Sequence, residues 1–114
     1  MQKNKAPYAK FRVSGGLVFT QGFTSMGVTP PNADMPKQIR GAFQRLRDAL
    51  AEAGTSLVSV IQLTVYLADL SDREKYLNGI FQELFPDNPP TRVTVQTVLP
   101  PGYGIEISAV AEKK

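Results

Sequence analysis

Between Val60 and Ala68, the residues Ile61, Leu63, Val65 and Leu67 alternate with Gln62, Thr64 and Tyr66. A period of two sends the two sets to opposite faces of a strand, so this segment has an apolar face that something must cover. The cover lies just ahead of it. Ile39, Phe43, Leu46, Leu50 and Ala53 are spaced by steps of four and three, which line one side of a helix. Asp34 is placed to cap that helix, and Pro36 sits in its first turn, where a missing N–H does no harm. Gly54 supplies the stop. Arg40, Arg45, Arg47 and Glu52 fall mainly on the other side, as a solvated face.

The same two patterns fill the rest of the chain. Residues 10–14 and 17–20 read as short strands joined at Ser14-Gly15-Gly16, and residues 22–33 form a loop rich in Gly, Thr, Pro and Ser. Ser71 and Glu74 have capping-box spacing ahead of a second helix that buries Leu77, Ile80, Phe81 and Leu84 and ends before Pro86. Strands over 92–98 and 105–111 close the chain, with Val93, Val95, Thr97, Ile105, Ile107 and Ala109 as their core-facing set. The order β-β-α-β-α-β-β predicts an α+β fold, two helices on one face of one sheet. With 114 residues, a single domain over 1–114 is expected, residues 1–9 being a tail.

Composition narrows the chemistry. Hydrophobic residues at 42% and charged residues at 20% suit a folded domain rather than a disordered one. With no Cys and no His, disulfides, thiolate metal sites and Ser-His-Asp triads are excluded. The net charge of +3 is divided as +5 over residues 1–57 and −2 over 58–114. No basic cluster is denser than Arg40, Arg45 and Arg47, which argues against a nucleic-acid surface. No apolar run approaches the ~18 residues of a membrane span. Met1 to Lys5 is polar, unlike a signal peptide, so a cytoplasmic chain is expected.

The even-numbered residues of the last three strands carry Gln62, Thr64, Arg92, Thr94, Gln96, Glu106 and Ser108, together with Tyr66, Val98 and Val110. That face is too apolar for water alone, so a second subunit is expected to cover it. If the last strands are neighbours, Arg92 and Glu106 face one space. An arginine fork grips a carboxylate, and a carboxylate orients or deprotonates water. The alternative is a cross-strand ion pair with no chemical role.

The stretches Pro90-Thr91-Arg92-Val93-Thr94, Leu99-Pro100-Pro101-Gly102 and Ile105-Glu106-Ile107-Ser108-Ala109-Val110-Ala111 resemble the C-terminal signature of the YjgF/Rid family. Ala53-Gly54-Thr55-Ser56-Leu57, Thr64-Val65-Tyr66-Leu67-Ala68-Asp69-Leu70, Asn78 with Phe81 and Phe85, and Pro7-Tyr8 ahead of Gln21-Gly22 agree with its earlier segments. The likeness runs from Ala6 onward. It implies a chorismate-mutase-like two-layer sandwich on a mostly antiparallel mixed sheet, assembled as a homotrimer with active sites in clefts between subunits. It implies hydrolysis of reactive 2-imino acids or their enamine tautomers to 2-oxo acids and ammonia, with no metal and no organic cofactor.

By that resemblance Arg92 grips the substrate carboxylate and Glu106 positions the attacking water. Thr94 stands where members often have Cys, at a place used through its backbone. Tyr8 matches a tyrosine that reaches the cleft, and Asn78 matches a structural helix Asn. Gln21, beside Gly22, departs from the usual Ser, and Ser108 departs from a frequent Glu. A non-catalytic trimer that binds a small carboxylate is the second reading. The third is RNA cleavage or translation inhibition, which the absence of His opposes.

Overall fold

A computed structural model describes residues 6–114. The elements are β1 (Phe11–Ser14), β2 (Leu17–Thr20), α1 (Met35–Glu52), β3 (Val60–Leu67), α2 (Asn78–Leu84), β4 (Thr91–Gln96) and β5 (Ile105–Glu112). A 3-10 turn over Leu57–Ser59 leads into β3, and a π-helical turn over Arg73–Leu77 leads into α2. One five-stranded sheet has the order β1-β2-β5-β3-β4. Only the β3–β4 pair is parallel; α2 lies on the connection between them, as a parallel crossover requires. Of the tail expected over 1–9, residues 1–5 lie outside the described residues, and 6–9 carry no regular structure.

The α1 expectations hold in detail. Asp34 Oδ1 accepts from the Lys37 N–H at 3.1 Å, Pro36 lies in the first turn, and Gly54 follows the helix at φ +83°. The stripe is buried and packs on Leu63, Val65, Leu67, Ile105 and Ile107, none of which is exposed to solvent. Fully burying a side chain of this kind contributes about 1.5–3 kcal/mol, so this layer dominates the favourable side of folding. Gln38 is buried at the start of α1. Its amide donates to the carbonyls of Ala33 (2.7 Å) and Gly102 (3.3 Å) and accepts from the Gly104 N–H at 2.7 Å, tying the helix to the segment that leads into β5. Among the described residues no helix is long and apolar enough to cross a membrane.

Three expectations need correction. Within β3 the register shifts between Val60 and Gln62, so Val60 is buried and Ile61 is exposed; a bulge at the start of the strand swaps their faces. The capping box at Ser71 does not form. Asp69 Oδ1 instead accepts from both the N–H (2.9 Å) and the hydroxyl (2.8 Å) of Ser71, and the next turn is π-helical, closed by the Asn78 N–H on the Arg73 carbonyl.

The third concerns β4. Arg92 is in register with buried Leu63 and Thr94 with buried Val65, so both point to the helix side. Val93 and Val95 are in register with Thr64 and Tyr66 and point to the open face, half exposed. Strand β3 also separates β4 from β5, so Arg92 and Glu106 are neither neighbours nor on one face. The cross-strand ion pair is ruled out on the same ground. The open face gains Val93, Val95 and Phe19 beside Tyr66 and Val110, and is more apolar than expected.

Candidate active site

Glu106 stands on the open face, opposite Tyr66 of β3. What sits against it is decided by the chain after β2. Phe23 pairs with Ile107 through two backbone hydrogen bonds, N–H to O at 2.7 Å and 2.9 Å, which extend the sheet past β2. Thr20 Oγ1 accepts from the Ala109 N–H at 3.0 Å and donates to the Gln21 carbonyl at 2.7 Å. Between these pins Gly22 is pressed against the Glu106 carboxylate, and a Cβ built there would overlap it. Glycine serves close approach here, not an unusual backbone angle: a Cβ would make the end of the Glu106 side chain move.

The Glu106 carboxylate opens on two adjoining cavities. One, of about 910 Å³, is walled by Tyr8, Arg12, Gln21, Gly22, Arg45 and Pro100 among others. The other, of about 360 Å³, is walled by Tyr66, Ser108 and residues 97–100. Glu106 takes part in none of the ion pairs or side-chain hydrogen bonds among the described residues. Tyr8, Gln21 and Gly22 therefore gather with Glu106 as expected, while Arg92 and Thr94 do not.

Arg92 occupies a separate recess of about 590 Å³ beneath α2, lined by Asn78, Phe81, Gln82, Phe85, Pro86 and Pro89. Its Nη2 donates to Asn78 Oδ1 at 2.7 Å and its Cζ lies 4.8 Å from the Phe81 ring centroid. Burial first, then the neighbouring charge of Arg73, push its pKa below the usual arginine value. The guanidinium stays protonated all the same, with no carboxylate within 4.0 Å among the described residues. An anion reaching it would relieve both penalties. Asn78, read from the sequence as structural, is the residue that aims this arginine. Thr94 is half-buried beside it and lines none of these cavities.

Sequence reasoning missed Arg12 and Arg45 on the Glu106 cleft. Arg45 precedes Leu46 and so borders the buried stripe of α1; it reaches over the Phe23 ring (5.2 Å to the centroid) and donates to the Thr24 carbonyl at 3.1 Å. Its place at the margin of the stripe was the available signal.

The family model described as Endoribonuclease L-PSP matches residues 2–113. A RutC family protein of Pyrococcus abyssi is 32% identical over 114 residues, covering 95% of this chain and 87% of the relative. "Putative reactive intermediate deaminase TdcF" of Escherichia coli is 30% identical over 113 residues, covering 92% and 85%. The solved structure of Escherichia coli TdcF with bound serine superposes with a TM-score of 0.80, at 30% identity, over 96% of this chain and 91% of that one. Yeast Mmf1 superposes with a TM-score of 0.88 at 23% identity, over 96% and 90%, and speaks for the fold alone. Taken with the two-helix layer on a five-stranded mixed sheet, these matches make the chain a member of the Endoribonuclease L-PSP family, the YjgF/Rid family that its C-terminal signature resembles.

Proposed function

We propose that the protein hydrolyses reactive 2-imino acids, or their enamine tautomers, to 2-oxo acids and ammonia, in a homotrimer whose clefts join Glu106 of one protomer to Arg92 of the next. The observation that carries this reading is the separation of the two groups. Each lines its own cavity, and among the described residues neither has an opposite charge within 4.0 Å. The apolar open face with Phe19, Val93 and Val95 supplies a surface on which copies can meet. A relative solved with serine bound carries an amino acid of the kind from which such imines arise.

The chemistry asks little of the protein. A protonated imine is already electrophilic, and fixing its carboxylate holds the imine carbon over a water. Arg92, aimed by Asn78 and stacked on Phe81, offers a bidentate fork for that carboxylate. Glu106 takes a proton as the water oxygen bonds to the imine carbon, giving a carbinolamine. Glu106 returns that proton to nitrogen and takes the hydroxyl proton as the C–N bond breaks, so ammonia leaves and a 2-oxo acid remains.

The test is turnover of freshly generated 2-iminobutanoate, followed as its accelerated loss, together with mass by light scattering. Turnover by a species of about three times the 12.5 kDa chain mass is expected. A monomer at micromolar concentration, or imine loss at the uncatalysed rate, would overturn the proposal. Saturable binding of 2-oxobutanoate without turnover would favour the carboxylate-binding reading, to which Gln21 on the cleft wall lends weight.

A further inference from the structure

Among the described residues, Lys10 pairs with Glu52 at 3.0 Å and Arg40 with Glu83 at 2.8 Å and 3.1 Å. Arg12 and Arg45 have no carboxylate within 4.0 Å, and both line the cavity that holds Glu106. Asp48 and Glu52 border Arg45 on its far side, and neither lies within 4.0 Å of its guanidinium. Asp48 accepts from Gln44 Nε2 at 2.9 Å, and Glu52 holds Lys10. Two permanent positive charges thus face a cleft with one carboxylate of its own.

Arg45 is also held in place. Its Nη1 is committed to the Thr24 carbonyl and its plane lies over Phe23, which is itself hydrogen-bonded to Ile107, the residue after Glu106. The backbone therefore fixes the guanidinium relative to Glu106, leaving its other N–H groups for a ligand. A donor fixed in this way loses little freedom on binding. The cavity, about 910 Å³, is at the upper end of the ~300–1,000 Å³ typical of small-molecule sites, more than a four-carbon monoacid fills.

We propose that Arg12 and Arg45 form a subsite for a second acidic group, so that the substrates are 2-imino dicarboxylic acids of four or five carbons. The assignment rests on the deaminase reading, in which Arg92 takes the α-carboxylate and leaves these two arginines for a side-chain acid. The reaction is unchanged: water adds to the imine carbon, ammonia leaves, and the side-chain carboxylate is only held.

Calorimetric titration of the full-length oligomer with 2-oxoglutarate and with 2-oxobutanoate tests it. The wild type binds 2-oxoglutarate at least about tenfold more tightly, the effect of one charge-assisted hydrogen bond. Arg45→Gln and Arg12→Gln each shrink that ratio, and the double variant brings it near one. Arg12 lies at an exposed edge, so Arg12→Gln reads the effect even where Arg45→Gln disturbs the Phe23 contact. Equal affinity for the two acids, no binding of either, or a preference that survives the double variant overturns the proposal. Wild-type turnover of freshly generated 2-iminoglutarate and 2-iminobutanoate is scored separately: if both are absent while the binding preference is present, the deaminase reading fails and the acidic subsite stands.

Discussion

The recess around Arg92 and the cleft around Glu106 are built in opposite ways. Arg92 is braced on two sides, by an amide at 2.7 Å and an aromatic ring at 4.8 Å, and loses part of its hydration. Glu106 is braced by nothing but the bare backbone of Gly22 and faces open space on both sides. A clamp works by holding one orientation; a base works by keeping a lone pair free for water. The surroundings suit the two roles proposed for these residues, and the fold keeps the two groups apart with β3 between their strands.

The largest effect is expected where that contrast is chemical. Glu106→Gln keeps the shape and removes the base, so kcat on 2-iminobutanoate falls by about 10²–10⁴-fold, while affinity for 2-oxobutanoate stays within a few-fold. Next is Arg92→Ala, with a loss of roughly ten- to a hundredfold in kcat/KM; Arg92→Lys recovers only part, since an ammonium cannot reproduce the fork. Mixing the Glu106→Gln and Arg92→Ala variants after dissociation raises activity above that of either alone, because some clefts then join an intact Glu106 to an intact Arg92. If the mixture is no more active than the mean of the two variants while both still assemble, the shared cleft is wrong.

Asn78→Ala probes the brace alone. Loss of one hydrogen bond, about 0.5–1.5 kcal/mol net, raises KM by about two- to tenfold and leaves kcat nearly unchanged. An unchanged KM would mean that Phe81 suffices to aim the guanidinium.

The smallest effect separates the two sides by pH. Asp69, bonded by Ser71, and Glu83, bonded by Arg40, both flank the α2 side with pKa values below the usual carboxylate range. Their contribution to stability is present above that range and is lost as pH falls through the lowered values. Asp72, pushed up by burial and then by Asp69, has the opposite sign: its contribution is present when it is protonated and is lost as pH rises. Melting curves from pH 7 to 3 should fall gently, and Asp72→Asn should raise the melting temperature at pH 7. A lower value at pH 7 would show that the ionised Asp72 carboxylate is held without cost.

How far the sequence could be read follows from what each pattern encodes. Helix α1 was legible to its ends because cap, proline, stripe and glycine are all local signals. Alternation on β4 correctly separates two sets of side chains, but periodicity does not say which set meets the helices. Apolar residues normally fill a core, which points the valines inward; on this edge strand they look outward, and Arg92 and Thr94 lie on the helix side. Glu106 and Arg92 were identifiable from their signature, yet their separation depends on β3 lying between β4 and β5, a fact of topology. The π-helical turn likewise escaped, because Ser71 and Glu74 match a cap by spacing while Asp69 captures Ser71 first.

Gly22 bears on how the cleft can change over generations. Its floor is backbone pinned to β5, with the Glu106 carboxylate laid against Gly22, so a side chain introduced at Gly22 displaces the end of Glu106. The walls at Arg12, Gln21 and Arg45 are side chains that border the same space without such a constraint. Under the proposed deaminase reading, drift in substrate range is therefore channelled through the walls, and a descendant of this protein can acquire a new preference at those three positions while Glu106 stays where it is.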